Sequence, residues 1–181
     1  STFYRIPPLP LVESWRRRVP EDFEFTVRCN RELTNSLQFD PLGSSLEVFE
    51  SMRQVCSILK ANVLHVLTPL SFKLNEEMVE RIDNFLSAIN LSDLRLAWEI
   101  RLHSGDHRQE LLRVLEDHDV VHSVDLSRET QGYESDIVYS RLFGKGLHNL
   151  YQFTNSELEE IDKRAKASKA AKAYLNFHGT R

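Results

Sequence analysis

The chain has 181 residues, of which 41% are hydrophobic and 28% charged, and 27 acidic against 23 basic side chains leave a net charge of −4. Such a length suits a single domain of about 100–200 residues, and the composition excludes a disordered or collagen-like chain. The mild acidity removes any global electrostatic argument for nucleic acid or an anionic membrane, so a basic site would have to be local.

Short apolar runs suited to strands alternate with longer segments of helical period. Phe23 to Cys29 reads as a strand. Leu46, Phe49, Met52, Val55, Cys56 and Leu59 recur at spacings of three and four and predict a helix. Val63 to Leu67 is the next strand, ended by Thr68-Pro69. From Asn75 a second apolar stripe, Met78, Ile82, Phe85, Leu86 and Ile89, follows Glu76 and Glu77, which suit a helix N-terminus. Leu94 to Ile100 is a strand, Leu111, Leu112 and Leu115 mark a shorter helix, and Val120 to Leu126 is again a strand. A polar loop leads to the strand Ile137 to Leu142 with little room for a helix. Thr154-x-x-Glu157 is a capping box at the start of a helix through Leu158, Ile161 and Ala165, and Ala173 to Phe177 is the last strand.

Six strands in mostly strict βα order predict a parallel sheet, closed as a barrel or open and doubly wound. Neither a dinucleotide fingerprint nor a P-loop follows any strand. With no repeat and no low-complexity linker, residues 1–181 read as one domain.

In a parallel barrel, inward side chains alternate along each strand and chemistry collects at the C-terminal strand ends. Arg95, Ala97, Glu99 and Arg101 share one strand face, while Leu96, Trp98 and Ile100 form a helix-facing surface. The same alternation selects Thr26 and Arg28, Ser123 and Asp125, Tyr139 and Arg141, and Tyr174 and Asn176. The expected constellation is Arg28, Glu99, Arg101, Asp125, Tyr139, Arg141 and Asn176. Arginines present forked donors to phosphate or carboxylate, and Glu99 or Asp125 can serve as a general base or hold a metal. The rival reading is a set of ion pairs closing the barrel top.

At these residues the chain resembles the YecE-like family, domain of unknown function 72, in its archaeal type. The matching stretches are Ser1-Thr2-Phe3-Tyr4-Arg5-Ile6-Pro7, Trp15 with Val19-Pro20-Glu21-Asp22-Phe23-Glu24-Phe25, Thr68-Pro69 with Ser71-Phe72-Lys73, Ala97-Trp98-Glu99-Ile100-Arg101, Asp125, and Tyr139-Ser140-Arg141-Leu142-Phe143-Gly144. The resemblance implies a TIM-like (β/α) barrel with no established activity. It also implies an incomplete one, lacking the first strand, most of the second and the last helix, with Ser1 to Tyr4 as the end of a strand. The chain departs from the family pattern at Arg28, Thr34-Asn35, Leu67, Phe143 and Phe177, where the family carries lysine, Thr-His, glutamine, histidine and asparagine. A barrel of this kind typically takes about 250 residues, with about 200 as a floor.

The rival signals are weaker. His103 and His107 have metal-like spacing, but Gly105 and a strand exit break a shared helical face, so no metal is expected there. His118 and His122 straddle a helix-to-strand junction with no fixed ligand geometry. Arg16-Arg17-Arg18 and the basic run from Lys163 to Lys172 read as solvated helix faces rather than a nucleic-acid site. Cys29 and Cys56 form no CxxC, no stretch reaches about 18 apolar residues, and no cationic leader opens the chain, so a reduced cytoplasmic setting without membrane insertion is expected. The leading expectation is a small anionic ligand, bound or hydrolysed at the strand ends, with Glu99 and Asp125 handling protons and Arg28, Arg101, Tyr139, Arg141 and Asn176 holding the ligand. The sequence leaves the cofactor open. The alternative is a non-catalytic remnant or interaction protein, a homo-oligomer or one whose open barrel edge is covered by a partner chain.

Overall fold

Two prolines, Pro7 and Pro8, prepare a first helix that the apolar spacing did not announce, α1 (Leu9–Arg17), with Pro10 in its first turn, where a missing N–H costs nothing. The computed structural model describes residues 1–101, 107–145 and 151–178, a mixed α/β fold divided into two units, Ser1–Val120 and Val121–Arg181.

In the first unit, β1 (Thr26–Arg28) is shorter than the expected Phe23–Cys29. The Phe23 N–H donates to the Pro20 carbonyl at 3.2 Å, so the chain is still turning there, and the Phe23 ring stays largely exposed. A second helix missed in the sequence, α2 (Glu32–Asn35), is a single turn. There follow α3 (Ser44–Leu59), β2 (Val63–Leu67), α4 (Glu76–Ala88), β3 (Arg95–Glu99) and α5 (Arg108–Asp117). Lys60 closes α3 in the left-handed conformation, its N–H reaching the Cys56 and Ser57 carbonyls. The Asn75 side chain caps α4 by accepting from the Met78 N–H at 2.9 Å.

The three strands pair in parallel, β1 with β2 and β2 with β3, in a register that sets Arg28 beside His65, His65 beside Ala97 and Leu67 beside Glu99. The expected alternation holds: Trp98 turns toward the helices and meets Phe39 with ring centroids 4.6 Å apart, and Phe39 in turn meets Phe72 and Phe85. To deliver its ring, Phe39 and the preceding Gln38 adopt left-handed backbone, φ 58° and 48°. That conformation costs about 1–2 kcal/mol per residue, which complete burial of the phenyl ring, worth about 1.5–3 kcal/mol, partly or wholly offsets. Ser1 to Tyr4 forms a turn rather than the expected strand end. It is tied alongside β1 by the Thr2 hydroxyl on the Arg28 carbonyl, 2.6 Å, the Asn30 amide on the Thr2 carbonyl, 3.1 Å, and the Arg31 N–H on the Phe3 carbonyl, 2.9 Å.

The second unit holds β4 (Val121–Ser123), β5 (Ile137–Leu142), α6 (Asn155–Ala167) and β6 (Lys172–Phe177). A parallel bridge joins Val124 to Ser140, and β5 pairs in parallel with β6, Tyr139 beside Tyr174 and Arg141 beside Asn176. Val124, Leu126, Val138, Leu142 and Ile161 form its core, flanked by Phe153, Ala165 and Ala170. The capping box is present: the Glu157 N–H donates to the Thr154 hydroxyl at 3.4 Å, and the Thr154 N–H to a Glu157 carboxylate oxygen at 2.9 Å. Thr154→Ala is expected to cost about 1 kcal/mol in chemical denaturation. A hydrogen bond from the Tyr151 hydroxyl, followed by the Thr154 N–H, holds the Glu157 carboxyl down to about 2 from an ordinary 4.5. A depressed carboxyl stabilises the fold above its unfolded value, so this contribution is lost as pH falls from about 4.5 toward 2.

Candidate functional site

The strand register gathers polar side chains in each unit. In the first unit, parallel partners point to the same face of the sheet, so Arg28, His65 and Ala97 form one row and Glu99 stands one row further along. Glu99 is held from two sides: Arg101 donates through Nε to Oε1 at 2.6 Å, and the His65 Nε2 lies 3.3 Å from Oε2, an ion-pair approach without hydrogen-bond alignment. Thr68 fixes the turn beneath. Its hydroxyl donates to the Glu99 carbonyl at 3.0 Å and accepts from the Arg101 N–H at 3.3 Å. The Arg28 guanidinium lies over the Phe3 ring at 3.8 Å.

His65 was missed in the sequence. It interrupts the apolar run Val-Leu-His-Val-Leu, and its period-two phase with Val63 and Leu67 carries the only available signal, since that phase puts it on the Arg28 and Glu99 face. It is 1% exposed.

In the second unit, the bridge and register align Ser123 with Tyr139 and Tyr174, and Asp125 with Arg141 and Asn176. Arg141 is buried and donates through Nε and a terminal nitrogen to the His178 Nε2, at 3.2 and 3.0 Å. The His178 ring stacks on Phe143 at 4.5 Å. On this same face, the Asn176 Nδ2 and the Ser123 Oγ are buried with no hydrogen-bond partner among the described residues. Asp125 is differently placed: Oδ1 accepts from the Ser127 N–H and hydroxyl at 2.9 and 2.6 Å, and Oδ2 accepts from the Phe143 N–H at 3.0 Å with Arg128 Nε at 3.4 Å. Three hydrogen-bond donors and an ion pair pin this carboxylate to its own loop and to the end of β5.

Elsewhere in the second unit, a cleft of about 390 Å³ is lined by Arg128, Lys145, Glu157 and Arg164 among others. Its cations are already engaged, Arg128 on the Gly144 carbonyl, Arg164 on the Leu126 carbonyl and Glu160, and Lys145 on Glu157. Gly144 itself, at φ 70°, could not carry a side chain: a Cβ would fall 1.9 Å from the Tyr151 ring.

Of the two spaced histidines, His103 lies outside the described residues, and His107 precedes α5 with its Nδ1 on the Glu110 carboxylate. His118 Nε2 pairs with Asp83 at 2.6 Å, and the His122 Nδ1 accepts from the Gly132 N–H at 2.9 Å. Among the described residues, no group of three His, Cys, Asp or Glu side chains could hold a metal ion, and no helix is long and apolar enough to cross a membrane.

Comparison with known proteins finds no significant match among curated sequences. Two solved structures share the fold. A DUF72 family protein from Enterococcus faecalis is 18% identical with a TM-score of 0.73, and one from Thermotoga maritima is 22% identical with a TM-score of 0.71. Each alignment covers 98% of this chain and 75% of the other. The family model described as protein of unknown function DUF72 matches residues 1–181, the whole of the sequence, and the chain therefore belongs to the DUF72 family.

Proposed function

We propose that the chain binds a small phosphate- or carboxylate-bearing ligand at its strand ends and acts on it by proton transfer, a hydrolase-type chemistry. The observation that carries the reading is the second unit's polar face, where the buried Arg141 is paired in register with Asn176 and shares its face with Ser123, and where Asn176 Nδ2 and Ser123 Oγ are buried polar atoms without partners among the described residues. Buried donors left unmade cost about 1–3 kcal/mol each, which a bound anion would recover. Arg141 supplies the fork, Asn176 an amide donor, and Tyr139 orients the ligand. The first unit carries its own polar face of the same chemistry, on which Arg28 and Arg101 are the candidate anion-holding cations and Glu99 the candidate proton-handling carboxylate. Asp125, with three hydrogen-bond donors and an ion pair on its carboxylate, is the second candidate carboxylate and also ties its loop to β5.

The βα order and the parallel pairing inside each unit support the finer architecture, a TIM-like (β/α) barrel. The two free, buried thiols support a cytoplasmic setting.

Titration with inorganic phosphate, followed by side-chain NMR signals, tests the binding. Saturable shifts are expected at Arg141 and Asn176, with chloride at matched ionic strength giving none. Asn176→Ala removes an unsatisfied donor, so it should leave stability within about 0.5 kcal/mol while weakening phosphate binding at least about tenfold, the scale of one charge-assisted hydrogen bond. Phosphate shifts that are absent, or identical in this variant, defeat the reading.

A second reading, an interaction protein covered by another chain or by a second copy, is favoured by one observation: Leu175 and Phe177 on β6 are 36% and 54% exposed. Light scattering separates the two. A monomer at every concentration and without added partner removes the self-association form of this reading.

A further inference from the structure

We propose that Tyr4, with Arg5 and Arg31, forms a stacking site for an unpaired nucleobase carrying a phosphate, either a free nucleotide or part of a single strand. The inference goes beyond the ligand reading above and places a further site in the first unit.

The turn Ser1 to Tyr4 is tied at three points to the segment that leaves β1, through the Thr2 hydroxyl, the Asn30 amide and the Arg31 N–H. It therefore presents two aromatic rings from a fixed frame at the C-terminal end of a parallel strand, the end where α/β folds bind their ligands. Phe3 is the inner ring, half-buried with the Arg28 guanidinium over it at 3.8 Å. Tyr4 is the outer one. Its plane stands at 82° to that of Phe3, so the pair is not a parallel stack, and the Arg31 guanidinium lies 5.2 Å from its centroid. The Tyr4 ring is nevertheless 67% exposed, more than any other aromatic among the described residues.

The charge around this ring is one-sided. Arg5, Arg28 and Arg31 gather here against one acid adjacent in the sequence, Glu32 at the start of α2. Neither Arg5 nor Arg31 pairs with a carboxylate among the described residues, whereas Arg17, Arg53 and Arg81 of the same unit each do. An open tyrosine face beside unneutralised guanidinium groups matches a ligand that is flat at one end and anionic at the other. Bases stack on aromatic rings whatever their sequence, and arginine forks take phosphate oxygens. The net charge of −4 opposes a long polyanion, so the site reads one nucleotide rather than a duplex, whose base faces are closed by stacking.

The test follows the Tyr4 ring by NMR in the full chain labelled with 13C-tyrosine, titrated with AMP, adenosine, ribose 5-phosphate, phosphotyrosine and single-stranded penta-adenylate. AMP should bind saturably and move the Tyr4 ring signals upfield, with adenosine and ribose 5-phosphate each at least about tenfold weaker, since each lacks one half of the ligand. Penta-adenylate that binds tighter than AMP by more than about fivefold, its statistical advantage, assigns the site to single strands; a smaller gain assigns it to a free nucleotide. Tyr4→Ala should weaken AMP about tenfold and Tyr4→Phe should retain it, while Arg31→Gln weakens AMP and flattens its decline between about 50 and 200 mM salt. Both side chains are exposed, so these variants keep the fold. The proposal is overturned if neither AMP nor penta-adenylate binds saturably, if Tyr4→Ala leaves the affinity unchanged, or if ribose 5-phosphate or phosphotyrosine binds as tightly as AMP. Phosphate shifts at Arg141 and Asn176 are read separately, so either site can fail without the other.

Discussion

Trp98→Ala should lower the stability of the chain by about 3–5 kcal/mol, the range for removing a large aromatic from a packed core, read as a shift of the urea midpoint followed by circular dichroism. The indole is fully buried and leans on Phe39, which in turn holds Phe72 and Phe85 edge-on, while Phe85 meets Phe49 from α3. Removing it strips the helix side of β3 and leaves Phe39 with left-handed backbone that its packing no longer repays. Trp98→Phe is the informative contrast. The indole Nε1 is buried without a partner among the described residues, so its loss gives up no hydrogen bond to them, and the smaller ring should cost less than about 1.5 kcal/mol. A Trp98→Ala chain within about 1 kcal/mol of the wild type would mean that the aromatic cluster does not organise the first unit.

The two thiols carry the second large effect. Burial pushes Cys29 and Cys56 each from 9.0 up to about 12, and for Cys29 the neighbouring Cys56 raises it further while the Asn30 N–H opposes. At pH 8 such a shift cuts the thiolate fraction about a thousandfold relative to an exposed thiol. Disulfide-exchange reagents should therefore label the folded chain at least about a thousandfold more slowly than the denatured chain, in which both cysteines react. The sign of the pH dependence follows from the raised values. A group that is harder to ionise in the folded state stabilises below its unfolded value, so this part of the stability is intact below about pH 9 and is lost as pH rises toward 12. Denaturation midpoints that do not decline across that window, or rapid labelling of the folded chain, would show the thiols to be accessible.

Much of the fold was written in period and punctuation. The runs Val63–Leu67 and Ile137–Leu142 are strands at the expected bounds, and Asn75 and Thr154 cap helices where their side chains suggested. What escaped did so for local reasons. The residues of α1 follow Pro7-Pro8, a pair that reads as extended chain until the helix after it is seen, and α2 is too short to show a period. The strand Phe23–Cys29 was overextended because four apolar residues, Phe23, Phe25, Val27 and Cys29, lie in an alternating phase, although Pro20 keeps the chain turning as far as Phe23. At the site, strand alternation placed Glu99, Arg101, Tyr139, Arg141 and Asn176 on polar faces. Alternation cannot show which carboxylate is already saturated, and so it gave Asp125 and Glu99 equal standing although their surroundings differ. His65 stayed hidden because a single polar residue in an apolar strand carries no pattern of its own.

Thr68 makes the backbone at Glu99 depend on a side chain of the neighbouring strand's end. Its hydroxyl takes the place of a further rung of backbone pairing beyond β2 and β3, accepting one N–H and donating to one carbonyl. Glu99 and Arg101 are thus oriented before the chain leaves the sheet. Removing that hydroxyl, as in Thr68→Val, would therefore be felt at Glu99 and Arg101 although neither side chain is altered.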